Sequence, residues 1–177
     1  ILGLSKSYNL QGIYPIVQGR YYANLLYSSE LGEQQNIFKE LLIQCEQTNK
    51  SEFFFELIPT ILLLKRLDWI TIIFSKYSEE IFEINEFNKL THLGILQVAQ
   101  ALLHIKKGKY KKADSELKKV NPYVAFDSYI DYITLFFLIA KYHLKEEQPT
   151  IKKQYIKLVN QLGFKIFSID LLEHYFE

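Results

Sequence analysis

The sequence predicts an all-α fold of stacked antiparallel helix hairpins. Apolar residues recur with the helical period along most of the chain. No segment alternates apolar and polar residues between Asn-Gly or Asp-Gly turns, which is the pattern of a strand hairpin. The segments between the predicted helices are short, and short connections make neighbouring helices antiparallel. The chain of 177 residues is long enough for a sizeable core, so we expect a single helical domain over residues 1–177.

In the first half of the chain, turn and capping residues divide the apolar pattern into four predicted helices, at residues 15–31, 33–47, 53–67 and 68–82. Pro15 suits the first turn of a helix, and Gly32 is expected to end the first helix. Pro59 should kink or split the third helix, because proline lacks the backbone donor and its ring clashes with the preceding turn. Asp68 is expected to cap the fourth helix, in which Trp69 is a core residue.

The second half of the chain has five predicted helices, at residues 85–107, 110–120, 127–145 and 149–162, with a short terminal helix from Ser168. Gly108 is expected to end the first of these, since glycine readily adopts the left-handed conformation that closes a helix. Asn121-Pro122 marks a break, because the residue before a proline avoids the helical conformation.

The turn at Gly108 indicates how the helices are arranged. An apolar helix stops at Gly108, Tyr110 follows two residues later to open the next helix, and Ala113 comes three residues after Tyr110. Antiparallel pairs of the tetratricopeptide kind are joined in this way, and they stack into right-handed solenoids with a concave binding face. His104 and His143 occupy matching places in successive pairs, 39 residues apart, which supports an internal repeat.

Composition narrows the classes of function. Apolar residues make up 49% of the chain and charged residues 23%, as in a folded soluble protein. The net charge of +1 produces no global field that would recruit nucleic acid or an anionic membrane. Cys45 is the only cysteine, which excludes a disulfide framework and favours the reducing cytoplasm. No apolar run has the length of a membrane span, so we expect a cytoplasmic protein without a membrane partner.

No motif indicates catalysis or metal binding. The four histidines form no H-E-x-x-H pattern, and Cys45 has no C-x-x-C partner. Phosphate-binding loops and the G-x-S-x-G nucleophile elbow are also absent from the sequence. We therefore expect no enzymatic activity, no metal and no cofactor.

Five lysines flank the turn, in the run Lys106-Lys107-Gly108-Lys109-Tyr110-Lys111-Lys112. Basic runs of this kind contact phosphate in nucleic-acid-binding proteins. Lysines also suit the C-terminus of a helix, where they offset the negative end of its dipole. The position between two helices favours a solvated turn over a nucleic-acid site.

A polar stripe runs along the helix that enters this turn. Gln97, Gln100 and His104 fall within an arc of about 60° on a helix that is otherwise apolar around most of its circumference. Such a helix is expected to be central, with neighbours on several sides. Glutamine both donates and accepts hydrogen bonds, so the stripe is a candidate for binding the backbone of a peptide. The alternative is that these groups hydrogen-bond to one another or to a neighbouring loop.

Matching the two histidines places an aromatic stripe beside the polar one. It contains Tyr129, Tyr132 and Phe136, with His143 at its end. Together the two stripes would form a pocket with apolar walls and a few polar groups, in which the aromatic rings receive the side chains of the peptide. The alternative is that the aromatic residues belong to the core.

Three segments carry a resemblance to a known family. The first is residues 63–74, an apolar helix followed by an acidic residue just before Trp69 and a short helix ending in Ile73-Phe74. The second is the turn at residues 107–117, and the third is residues 155–164, followed by a short final helix. In order and spacing, the chain from about Gln18 onward resembles the C-terminal domain of the Rgg/GadR/MutR transcriptional regulators of Gram-positive bacteria.

The resemblance implies a cytoplasmic, peptide-sensing regulator. Members of that family bind DNA through an N-terminal helix-turn-helix domain, and their C-terminal helical-repeat domain dimerises and receives a short signalling peptide. The chain starts at Ile1 and contains no methionine, so we expect the DNA-binding domain to precede it. Two other interpretations stay open: a helical-repeat adaptor for another protein, and an accessory or phosphatase-regulating domain of a related peptide-sensing group.

Overall fold

The computed structural model describes residues 14–48, 54–83, 86–120, 127–145, 147–162 and 168–177. All regular secondary structure in these ranges is α-helical, which confirms the predicted all-α class. None of the helices in these ranges has both the length and the apolar character needed to cross a membrane. The chain divides into two compact units, Ile1–Ile84 and Asn85–Glu177. That the two form one continuous domain stays a prediction.

The helix bounds follow the predicted order. In the first unit the helices are α1 (Tyr14–Ser28), α2 (Leu31–Thr48), α3 (Phe54–Leu63) and α4 (Leu67–Glu83). In the second unit they are α5 (Glu86–Lys106), α6 (Tyr110–Leu117), α7 (Asp127–His143), α8 (Gln148–Leu162) and α9 (Ile169–Glu173). The predicted break at Asn121-Pro122 lies outside the described residues.

Trp69 lies at the centre of the first unit. Helix α1 packs on α2 and α3, and α3 packs on α4. The indole ring of Trp69 in α4 is fully buried and stacks on the ring of Phe38 in α2, with 4.4 Å between centroids and 4° between planes. The guanidinium carbon of Arg66 lies 4.0 Å from the centroid of the same indole. The core role predicted for Trp69 is therefore confirmed.

Arg66 connects the start of α4 to α2. Its guanidinium donates hydrogen bonds to both carboxylate oxygens of Asp68, at 3.0 and 2.7 Å, and to Oε1 of Gln35 at 3.0 Å. The bond from Arg66 is the main reason that the pKa of Asp68 lies below its usual value. Asp68 is thus the second residue of α4 and an ion-pair partner, so its prediction as the N-cap residue is wrong.

Two other predicted boundaries are wrong. Gly32 does not end the first helix, which stops at Ser28; it lies in the first turn of α2, where no left-handed conformation is needed. Pro59 does not split its helix, because α3 continues through it to Leu63, and a kink at Pro59 stays a prediction. The buried apolar residues around Pro59, namely Leu57, Ile58, Ile61 and Leu62, hold α3 together against the cost of about 3 kcal/mol for an interior proline.

Left-handed residues end α3 and α5. Gly108 has φ of 67°, its N–H bonds to the carbonyl of Ile105 at 2.9 Å, and the N–H of Lys109 bonds to the carbonyl of His104 at 2.8 Å. This is a Schellman motif, and it confirms the predicted end of the helix at Gly108. Lys65 ends α3 with the same pattern of bonds and φ of 55°.

The second unit consists of two helix hairpins and a short final helix. Helix α5 packs on α6 and on α7, and α7 packs on α8. Helix α9 packs on both α7 and α8. Since α5 and α7 are each the first helix of a hairpin, the two hairpins lie side by side through their first helices.

His143 holds the C-terminal segment against α7. Its Nε2 lies 2.8 Å from the carbonyl oxygen of Leu172, so Nε2 carries the proton and donates. Its ring meets the edge of Phe176 with 4.7 Å between centroids. Burial lowers the pKa of His143, although the bond to Leu172 opposes that shift.

Two glycines should respond to alanine with opposite signs. We expect Gly108→Ala to lower the free energy of unfolding by about 1 kcal/mol, because a Cβ strains the left-handed conformation. Gly32→Ala should raise it by about 0.5 kcal/mol, since a Cβ at Gly32 meets nothing within 4 Å and alanine favours the helix. Urea denaturation of both variants measures the two changes. Shifts of the same sign would contradict the assigned roles.

The pH dependence of stability should carry a contribution from His143. The unfolded chain protonates this histidine near its ordinary pKa of 6.5, whereas the folded chain does so only at lower pH. Between those two pKa values the unfolded state binds more protons than the folded state. The free energy of unfolding therefore decreases as the pH is lowered, and it levels off below the folded pKa. We expect His143→Gln to lose less stability than the wild type between pH 8 and about pH 5 in urea titrations.

The other histidines remain in both proteins, including His174, whose pKa is raised by its bond to Glu177. The difference between the two pH profiles therefore isolates His143. Profiles that run parallel would show that His143 has the same pKa folded and unfolded.

Candidate functional site

Between Gly94 and Ile105, helix α5 is open along a single stripe. Between Gly94 and Ile105 every residue is buried except Gly94, Gln100 and His104, which are partly exposed. These three positions lie on one side of the helix, and Gln97, with 8% of its surface exposed, lies between them. We call Gly94, Gln97, Gln100 and His104 the α5 stripe. As predicted, the remaining circumference of this part of the helix is covered.

The side-chain amides of the two glutamines in the stripe are free to bind a ligand. No hydrogen bond joins the amide of Gln97 or Gln100 to another residue in the described part of the chain. The amide nitrogen and oxygen of Gln97 remain accessible to solvent. The indole nitrogen of Trp69, by contrast, is buried and has no hydrogen-bond partner among the described residues. An amide beside a mostly buried surface, with donors and acceptors unused within the described chain, is available to a ligand.

His104 closes the C-terminal end of the stripe. Its pKa is lowered mainly by burial and further by the charges of nearby lysines, while Glu116 opposes the shift. The imidazole is therefore neutral near pH 7, and one ring nitrogen donates while the other accepts. All three polar side chains of the stripe can thus donate and accept hydrogen bonds.

Helix α7 lies against the stripe at Gly94. A Cβ added to Gly94 would stand 3.1 Å from Cδ1 of Ile133, which is closer than real side chains normally approach. Gly94 and Ile133 are 39 residues apart, the same separation as His104 and His143. The contact therefore joins two positions that are equivalent in the internal repeat predicted from the two histidines.

The predicted aromatic residues have different environments. Tyr132 is partly exposed, whereas Phe136 is fully buried and meets the ring of Tyr175 with 6.1 Å between centroids. Tyr129 belongs to α7, but its side chain lies outside the described part. No surface of Phe136 is open to a ligand in this structure. The sequence could not reveal the contact with Tyr175, which lies 39 residues further along the chain.

The structure also contains a cleft that was not predicted. Helices α7 and α8 enclose a cleft of about 530 Å³ lined by apolar and polar side chains, namely Phe137, Leu138, Lys141, Glu147, Ile151 and Gln154. The amino group of Lys141 lies 3.6 Å from the carboxylate of Asp114 in α6. Residues of α7 point to different sides of the helix. Which of them line the cleft depends on where α8 packs, and the sequence of α7 alone does not show this.

The described residues contain no group of three or more histidine, cysteine or acidic side chains that could hold a metal ion. Cys45 is buried in α2. Comparisons with protein-family models, with curated proteins and with solved structures find no match to this chain.

The contact between Gly94 and Ile133 can be tested by a double-mutant cycle. We expect Gly94→Ala to destabilise the protein by about 1 kcal/mol or more, because an added methyl group overpacks the contact. In an Ile133→Val background, which removes Cδ1, the same substitution should cost less or become stabilising. Urea denaturation of the four proteins gives the coupling free energy. A coupling near zero would mean that α5 and α7 do not meet at these residues.

Proposed function

We propose that this chain is the ligand-sensing and dimerisation domain of a bacterial transcription regulator of the Rgg/GadR/MutR kind, and that it binds a short, apolar peptide on the α5 stripe. The α5 stripe carries the proposal. Two glutamines with no hydrogen-bond partner in the described chain lie in the only opening of the helix between Gly94 and Ile105. An extended peptide offers the matching donors and acceptors along its backbone.

The length of the stripe suits a short ligand. From Gln97 to His104 the helix rises by about 10 Å, at about 1.5 Å per residue. An extended peptide covers that distance with about three residues. The amides of Gln97 and Gln100 and the ring of His104 would pair with its backbone, and the partly exposed Tyr132 would contact its side chains.

The proposed architecture of the second unit is a tetratricopeptide-like stack of hairpins. It is supported by two contacts between residues separated by 39 positions, Gly94 with Ile133 and Phe136 with Tyr175. Equal separations are expected when successive repeats pack on one another. In such a stack, the first helices of the hairpins line the concave face on which ligands bind.

The proposal also includes the location of the protein in the cell, its self-association and its route to DNA. The protein acts in the cytoplasm as a homodimer, and it reaches DNA through a helix-turn-helix domain outside this chain. Several large apolar side chains of the first unit support self-association because they are well exposed, namely Tyr21, Tyr27, Leu31 and Ile43. Sedimentation equilibrium of the chain at micromolar concentration tests the dimer.

A second candidate function is a helical-repeat adaptor that binds another protein. The cleft between α7 and α8 favours it, because it gives the second unit a concave, largely apolar surface separate from the α5 stripe. An adaptor would use this cleft together with or instead of the α5 stripe.

Substitution of the two glutamines separates these functions. A pool of synthetic heptapeptides rich in apolar residues serves as the probe, and bound peptides are identified by mass spectrometry. We expect Gln97→Ala and Gln100→Ala each to weaken binding by about fivefold, the effect of losing one hydrogen bond of about 1 kcal/mol. Circular dichroism should show unchanged helicity.

Gln154→Ala is the matched control, because Gln154 is an exposed glutamine that lines the cleft instead of the stripe. It should leave peptide binding unchanged. Binding that depends on Gln154 and not on Gln97 or Gln100 would move the site to the cleft and favour the adaptor.

A further inference from the structure

The turn between α5 and α6 carries an unbalanced positive charge. Five lysines lie within seven residues, at Lys106, Lys107, Lys109, Lys111 and Lys112, and all five are exposed. None of them forms an ion pair with another residue in the described part of the chain. The next two lysines behave differently, because Lys118 pairs with Asp114 at 2.6 Å and Lys119 pairs with Glu116 at 2.9 Å.

Lys106 and Lys107 suit the C-terminus of α5, but the other three lysines lie at the N-terminus of α6, where positive charge is unfavourable for the fold. The N-terminus of a helix is the positive end of its dipole, and acidic residues normally occupy its first turn. Helix α6 has no acidic residue in that turn, and Lys109 at its N-cap position makes no side-chain hydrogen bond to the helix. Lys111 and Lys112 in the first turn add to the positive potential. An anion at this position would relieve it.

The turn is joined directly to the α5 stripe. The N–H of Lys109 bonds to the carbonyl oxygen of His104, the last residue of the stripe, so the chain folds back at that point. Lys107, Lys109 and Lys112 all act on the His104 imidazole and help to lower its pKa. Their positive potential therefore reaches the C-terminal end of the stripe. Glu116, which opposes them, is already paired with Lys119.

We infer that the peptide lies along the α5 stripe with its free C-terminal carboxylate at the His104 end, where Lys107, Lys109 and Lys112 bind it. This inference rests on the proposed function and adds the direction and the chemical class of the ligand. An apolar peptide has few charged groups, and its terminal carboxylate is the one negative charge that every such peptide with a free end carries. The glutamines bind the peptide backbone along the stripe, and the lysines determine that the C-terminus of the peptide lies at the His104 end.

The experiment compares two forms of one peptide library with the full chain. Randomised heptapeptides of uncharged residues, acetylated at the N-terminus, are made once with a C-terminal carboxylic acid and once with a C-terminal carboxamide. We expect the wild-type chain to bind the best acid peptides about tenfold more tightly than their amide forms, a preference that weakens at high salt. This comparison needs no substitution and does not depend on the folding of a variant.

A triple variant then locates the preference. Lys107→Gln, Lys109→Gln and Lys112→Gln together should abolish the difference between acid and amide peptides while leaving binding of the amide form unchanged. The control is a second triple variant with the same loss of charge at three exposed lysines elsewhere, Lys39→Gln, Lys153→Gln and Lys157→Gln. It should keep the wild-type preference.

The outcomes distinguish the inference from the proposed function. If the wild type binds acid and amide peptides equally, or if both triple variants keep the preference, the assigned direction is wrong and peptide binding stands. If neither library binds, the inference and the proposed function both fail.

Discussion

The close approach of α5 and α7 at Gly94 is the constraint on which the second unit depends. Glycine suits this approach, because a Cβ at this position would stand 3.1 Å from Cδ1 of Ile133 and the isoleucine side chain would have to shift. Protein interiors are close-packed, so a larger residue at this position would have to be accommodated by a shift of Ile133 or of its helix. With α7 on one side and α6 on another, α5 keeps a single narrow opening between Gly94 and Ile105. That opening contains Gln97, Gln100 and His104.

The period of the apolar residues made the helical class and the order of the helices predictable. Gly108 was predictable as a helix end because its left-handed conformation is a local property. Gly32 and Pro59 misled the prediction for the opposite reason, since local preference was outweighed by the packing around α2 and α3. Asp68 was wrongly predicted as the N-cap residue of α4. Its carboxylate instead pairs with Arg66, which precedes that helix.

The candidate site was predictable on α5 and only partly on α7. The polar stripe follows from the spacing of residues on one helix, and the burial of its neighbours agrees with it. The environment of Phe136 depends on Tyr175, which the chain brings back from beyond α8. The turn lysines were interpreted from sequence as solvated charge, and they are exposed. Their lack of acidic partners within the described residues appears only when the surrounding ion pairs are known.

Thiol labelling of three consecutive residues tests the single opening of α5 most directly. Ala99 and Ala101 are fully buried, and Gln100 between them is partly exposed. In a Cys45→Ala background, Gln100→Cys should react with a thiol reagent at least about tenfold faster than Ala99→Cys or Ala101→Cys, which must wait for local opening. Similar rates at all three positions would contradict the account, because α5 would then be open on more than one side.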